Sequence, residues 1–61
     1  MMIRMEWSLD TGTIDWATRE VADVTEATVR ACISRTWPTL SGVTVAVSRD
    51  GEPVGTGYYD V

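Results

Sequence analysis

The sequence predicts an α+β domain in which a small antiparallel β-sheet carries one α-helix packed on one face. Three observations lead to this class. Two segments, 3–9 and 43–48, alternate apolar and polar residues, and the apolar residues of 23–37 have helical spacing. An Asp-Gly pair also separates two extended runs. Alternation with period two is typical of a half-buried strand, and spacing of three and four is typical of a helix. A chain of 61 residues is short for two cores, so we predict a single domain spanning 1–61.

The first third of the chain predicts a strand followed by an ambiguous segment. The strand places one face toward a core, with Ile3, Met5, Trp7 and Leu9. Asp10-Thr11-Gly12 then provides turn residues, since glycine readily adopts a positive φ. Residues 13–21 either complete a hairpin or enter a helix capped by Asp15. The order β–β–α–β–β, which we prefer, and the order β–α–β–β, with a helix over 15–37, therefore both remain open.

The clearest helix is predicted over Asp23–Trp37. Asp23 followed three residues later by Glu26 has the form of a capping box. Val29, Cys32 and Ile33 share one helical face, which predicts that Cys32 is a buried core residue. Pro38 ends the helix, because the residue before a proline is driven out of the α region.

The last third predicts a hairpin. Asp50-Gly51 lies between two extended runs, which is a strong signal for a two-residue turn. Pro53 has no N–H to donate, so the returning strand is predicted at the edge of the sheet. Tyr58 and Tyr59 are adjacent on that strand, so one ring points inward and the other points outward, where it can anchor a partner.

Most of the negative charge lies in one stretch. Residues 6–26 hold six of the nine carboxylates against Arg19 alone, and the whole chain has a net charge of −4. Acidic residues often confer only solubility, but a concentrated run can also attract a basic partner. Five arginines against nine carboxylates leave no net basic surface for nucleic acid. We therefore predict a basic protein surface as the partner and no direct contact with nucleic acid.

The sequence contains no recognisable catalytic, metal-binding or cofactor-binding set. It has one cysteine and no histidine, so neither an internal disulfide nor a tetrahedral zinc site is expected. Its carboxylates lack the close spacing of a calcium loop. No apolar run approaches the roughly 20 residues of a membrane span. We expect a protein of the bacterial cytoplasm that is not an enzyme, contacts no membrane and is a monomer or a homodimer.

The predicted partner-binding residues are the acidic stretch and one tryptophan within it. Trp16 is less constrained by the core pattern than Trp7 or Trp37, and an exposed tryptophan among carboxylates is a suitable interface anchor. The full set is Glu6, Asp10, Asp15, Trp16, Glu20, Asp23 and Glu26.

In its size, its acidic stretch and its layout of one helix and a sheet, the chain resembles the small acidic anti-CRISPR proteins encoded by phages. The absence of Lys, Phe and Asn, whose codons are AT-rich, also indicates a GC-rich genome such as that of a bacterium or its phage. The resemblance spans the whole chain without a specific motif. It implies an inhibitor that binds a Cas subunit, at the basic surface that receives DNA, in the manner of a DNA mimic.

A second function class stays open beside the first. A structural or regulatory module, such as an antitoxin-like or phage assembly protein, would pair with another chain through its sheet edge or a helix face.

Overall fold

The computed structural model describes residues 1–61, the whole chain. The elements follow one another as β1 (Met2–Leu9), β2 (Gly12–Glu20), α1 (Glu26–Thr36), β3 (Thr44–Arg49) and β4 (Glu52–Asp60). The predicted α+β class and the preferred order β–β–α–β–β are confirmed. The other order, with a helix beginning near residue 15, is wrong because that segment is a strand paired with β1.

The four strands form one antiparallel sheet in the order β2-β1-β3-β4. The two strands at the edges are therefore β2 and β4, and the edge position predicted from Pro53 is confirmed. Between β1 and β2 the pairing shifts at Ile14, which has no partner and forms a bulge between Asp15 and Thr13. The rest of β2 keeps a regular register against β1 as far as Glu20.

The helix begins later than predicted. Its N-cap is Thr25, whose hydroxyl accepts a hydrogen bond from the Thr28 N–H at 3.3 Å. Asp23 instead accepts hydrogen bonds from the backbone N–H and the hydroxyl of Thr25, at 3.1 and 2.8 Å. The predicted capping box is therefore wrong: Glu26 is the first helical residue and extends toward Arg30, one turn further along.

The core lies between α1 and one face of the sheet. Its nine buried residues are Ile3, Met5, Val21, Val29, Cys32, Ile33, Val45, Val47 and Tyr59. The helix contributes three of them, including Cys32, whose burial confirms the prediction. Trp7 and Trp37 are only half-buried and meet edge to face, with ring centroids 6.3 Å apart, at the margin of this core.

The second hairpin matches its sequence signal. Asp50 and Gly51 both have positive φ, at 52° and 83°, as a tight two-residue turn of the primed type requires. On the returning strand Tyr59 is 1% exposed and Tyr58 is 66% exposed, which confirms that the two rings point to opposite faces. The single helix of the fold is neither long nor apolar enough to cross a membrane.

Candidate protein-binding face

The helix covers one face of the sheet and leaves the opposite face, which we call the open face, without a covering layer. The strand register places one residue of each strand in a single row across this face: Trp16 of β2, Glu6 of β1, Ala46 of β3 and Tyr58 of β4. Residues paired across neighbouring strands project to the same side of a sheet. The row therefore has an aromatic ring at each end, with a carboxylate and a small side chain between them.

Both rings of this row are solvent-exposed. Trp16 is 53% exposed and Tyr58 is 66% exposed, whereas the inward-facing Tyr59 is almost completely buried. Large aromatic side chains contribute much of the binding energy in protein interfaces. Two of them at opposite ends of an uncovered face are thus candidate anchors for a partner.

Arg4 also projects from the open face, next to Trp16 and Glu6. Its guanidinium lies 4.3 Å from the ring centroid of Trp16, and its Nη2 lies 3.7 Å from the Glu6 carboxylate. The cation stacks on the indole by a cation–π interaction, which is worth roughly 0.5–1 kcal/mol at an exposed site. Arg4 therefore holds the Trp16 ring in place while it partly neutralises Glu6.

A shallow depression of about 620 Å³ lies on the open face and extends to the turn between β3 and β4. Ala46 and Ser48 of β3 are small and form its floor, while Arg4, Glu6 and Tyr58 are among the larger residues around it. The depression is open to solvent, so its shape suits a projecting side chain of a partner better than an enclosed small molecule.

The structure distributes the seven predicted partner-binding residues over several surfaces. Glu6, Trp16 and Glu20 project from the open face. Asp10 lies in the exposed turn between β1 and β2, and Asp15 projects from the opposite face, beside Trp37. The remaining two, Asp23 and Glu26, lie at the start of α1. The acidic stretch is continuous in sequence but does not form one surface in the fold.

Several of these carboxylates also have partners within the chain. Glu20 accepts a hydrogen bond from the N-terminal amine of Met1 at 2.6 Å, and Glu26 pairs with Arg30 at 2.9 Å. Both pairs are exposed, and exposed ion pairs contribute little to stability. They do reduce the negative charge that is free to attract a partner.

Asp15 has a structural role that the sequence did not predict. One carboxylate oxygen accepts a hydrogen bond from the indole Nε1–H of Trp37 at 3.0 Å, and the other accepts from the backbone N–H of Trp16 at 2.8 Å. The bond from Trp37 connects the edge strand β2 to the end of α1, and the bond from Trp16 holds the carboxylate against its own strand. The indole N–H of Trp37, followed by the backbone N–H of Trp16, lowers the pKa of Asp15, because both favour the charged carboxylate.

We expect acid to weaken the connection between β2 and α1. Since the pKa of Asp15 is lower in the folded chain than in the unfolded chain, its contribution to stability is complete above the unfolded pKa and is lost as the pH falls through the folded pKa. Urea unfolding midpoints, measured from about pH 6 to about pH 2, should fall toward acid. In Asp15→Asn the urea midpoint should fall less toward acid than in wild type. Some decrease should remain in this variant, because the pKa of Asp23 is also lowered, mainly by the side chains of Thr28 and Thr25. An identical pH profile for both proteins would contradict this role of Asp15.

Sequence reasoning identified Trp16 and an outward-facing tyrosine as separate anchors but did not place them in one row. It gave no role to Arg4 or Ala46. The alternation along each strand shows which residues share a face, but only the strand order brings β2 and β4 to opposite ends of that face.

No family model, curated protein or solved structure matches this chain.

Proposed function

We propose that this protein is a small acidic interaction protein that binds a basic surface of another protein through its open face. The observation that supports this most directly is the row formed by Trp16, Glu6, Ala46 and Tyr58 across the uncovered sheet. Adjacent strands lie about 4.8 Å apart, so the two outer strands of the row are roughly 14 Å apart. That span accommodates one strand or one helix face of a partner between the two rings.

Charge supports a basic partner. The chain has a net charge of −4, and the row places Glu6 between the two rings. An arginine or lysine entering the depression would meet the Glu6 carboxylate and the exposed ring of Tyr58. Such a cation would compete with Arg4 for Glu6, so binding would replace an exposed ion pair with a less solvated one.

The target class follows from the resemblance to anti-CRISPR proteins. In this proposal the basic surface belongs to a bacterial defence complex, such as a Cas subunit, and the protein blocks access of nucleic acid to that surface. The uneven placement of the carboxylates favours docking by a few anchors with charge support over a continuous imitation of a phosphate backbone.

The two exposed rings should be required for binding. We expect the double variant Trp16→Ala/Tyr58→Ala to weaken binding to a captured partner by at least about a hundredfold, since removal of one interface anchor typically costs 2 kcal/mol or more. The matched control is Leu9→Ala, which removes a side chain that is also 53% exposed, at the β1–β2 turn. Affinity would be measured by calorimetry after capture of the partner on tagged wild-type protein. If the double variant binds as tightly as the control, the open face is not the binding site.

Salt should distinguish a basic partner from a neutral one. We expect the association rate and the affinity to fall as sodium chloride rises from about 0.05 M to about 0.5 M, because screening weakens attraction between exposed charges. Glu6→Gln should reduce this salt dependence. An affinity that does not change over this range of salt would contradict a basic partner surface. Binding would then rest on apolar contacts of the open face.

A further inference from the structure

Past its first residue, the outer edge of β2 lacks proline, glycine and a central bulge, which in many edge strands prevent pairing with another chain. Residues 13–20 contain no proline and no glycine, and the one bulge lies at the turn end, at Ile14. The charged side chains of this segment are Asp15, Arg19 and Glu20. The other edge strand, β4, differs: it contains Pro53, and both Gly55 and Gly57 have positive φ, which interrupts regular strand geometry. The sheet therefore has one regular edge and one irregular edge.

The hydrogen bonds to β1 determine which backbone groups of β2 point outward. The Val21 N–H donates to the Met1 carbonyl at 2.7 Å, and the Met1 amine donates to the Val21 carbonyl at 2.6 Å. Hydrogen-bonded and non-hydrogen-bonded pairs alternate along an antiparallel ladder. Every second residue before Val21, namely 19, 17 and 15, therefore directs its backbone groups toward β1. Thr18 and Trp16, which lie between them, direct their backbone groups away from the sheet.

Side chains of the same strand occupy two of these outward groups. The Trp16 N–H donates to the Asp15 carboxylate, and the Thr18 carbonyl accepts from the Arg19 guanidinium, both at 2.8 Å. Backbone groups at the edge would otherwise bond to water or to another strand. Residues 15–19 thus provide the outward backbone groups that could pair with another strand. They also provide the charged side chains that bond to two of those groups.

We propose that β2 pairs with β2 of a second copy of this chain, antiparallel, about a two-fold axis at Ala17. In this register Trp16 lies opposite Thr18 of the second copy, and the two residues form a hydrogen-bonded pair because both direct their backbone groups outward. Ala17 faces Ala17 of the second copy at the axis, where a small side chain allows close approach. The result is a continuous sheet of eight strands.

The charges of β2 are self-complementary in this register. Asp15 lies opposite Arg19 of the second copy, and Arg19 lies opposite Asp15 of the second copy, so each dimer contains two such pairs. Both residues project to the helix side of the sheet, since they pair with Trp7 and Ile3 of β1. Residues directly opposite on one face have Cβ atoms about 4.5–5.5 Å apart, within reach of an ion pair. An isologous interface of this kind closes as a dimer and does not extend into a fibre.

At Trp16 and Thr18, dimerisation exchanges bonds within one chain for bonds between the two chains. The Trp16 N–H moves from Asp15 to the Thr18 carbonyl of the second copy, and the Thr18 carbonyl releases the Arg19 guanidinium. The released carboxylate oxygen of Asp15 and the released guanidinium of the second copy's Arg19 then meet. The other oxygen of Asp15 keeps its bond to the Trp37 indole, 3.0 Å away. The dimer does not require the proposed open-face function: it uses the backbone of Trp16 at the sheet edge, whereas the open face uses the Trp16 ring.

The register is tested by exchanging the two charges. Asp15→Arg places arginine opposite Arg19 of the second copy, and Arg19→Asp places aspartate opposite Asp15, so each variant alone should dimerise at least about tenfold more weakly than wild type. An equimolar mixture of the two variants restores an opposite charge at all four positions. We expect the mixture to form heterodimers within about threefold of the wild-type affinity, measured by sedimentation equilibrium. A mixture that associates no more tightly than its components would overturn the register.

A backbone variant tests the edge without changing these charges. Thr18→Pro removes an N–H that points away from β1, so it should abolish the dimer while circular dichroism shows an unchanged monomer fold. The matched control, Thr18→Ala, keeps the N–H and should keep the dimer. If Thr18→Pro dimerises as tightly as wild type, or if wild type is a monomer up to roughly 1 mM, the proposal is wrong.

Discussion

Tyr59→Ala should remove most of the stability of this domain. Tyr59 is the largest fully buried side chain, 1% exposed, and it packs from β4 into the core beneath α1. The guanidinium of Arg30 lies 5.6 Å from its ring centroid and donates to the neighbouring Asp60 carbonyl at 3.0 Å, so this tyrosine also links α1 to β4. Truncating a buried aromatic residue costs about 3–5 kcal/mol. A domain of this size has a total free energy of unfolding of roughly 3–9 kcal/mol.

The matched control for this truncation is Tyr59→Phe. The hydroxyl of Tyr59 is buried and has no hydrogen-bond partner. Removing a buried polar group without a partner is neutral or stabilising, by up to about 1 kcal/mol. Urea unfolding followed by circular dichroism should therefore show a near-wild-type midpoint for Tyr59→Phe and a largely unfolded Tyr59→Ala. A loss above about 1 kcal/mol for Tyr59→Phe would contradict the unpaired state of the hydroxyl.

The inward position of Tyr59 illustrates what the sequence could predict. Alternation and turn residues act locally, so they correctly predicted β1, β3, the Asp50-Gly51 turn and the opposite directions of Tyr58 and Tyr59. Residues 13–21 remained ambiguous because Asp15 is acceptable both in a strand and as a helix cap. Pairing with β1 decided between the two, and that pairing is a tertiary contact.

The helix start shows a different limit. Asp23 and Thr25 can both cap a helix, and the capping-box pattern favoured Asp23. In the structure the two residues cooperate, because Asp23 binds the N–H and the hydroxyl of Thr25, which then caps α1.

The candidate site depended even more on tertiary structure. The acidic stretch predicted one surface, but alternation along β2 sends Asp15 and Trp16 to opposite faces, and the pairing with β1 sends Glu6 to the side of Trp16. The row that joins Trp16 to Tyr58 exists only because β1 and β3 lie side by side between the two hairpin edges. Linear charge density could not show this, since residues distant in sequence form the row.

Gly55→Ala should destabilise the fold through two separable effects. Gly55 has a φ of +58°, and a residue with a side chain pays roughly 1 kcal/mol or more in that left-handed region. A Cβ at this position would also overlap the hydroxyl of Tyr59, so the ring or the strand must move. Overpacking of this kind costs about 1–3 kcal/mol. We expect a total loss of about 2–4 kcal/mol in urea unfolding.

A double variant separates the two effects. In Gly55→Ala/Tyr59→Phe the hydroxyl is absent and the nearest ring carbon lies 3.4 Å from the added Cβ, so most of the overlap disappears and only the conformational cost should remain. Gly51→Ala measures that cost alone, because Gly51 has a φ of +83° and no atom within 4 Å of an added Cβ. Gly55→Ala should therefore cost about 2–4 kcal/mol of stability in the wild-type background and about 1 kcal/mol in the Tyr59→Phe background. Equal losses in the two backgrounds would show that the Tyr59 hydroxyl does not occupy the space beside Gly55 and that β4 follows a different path over the core.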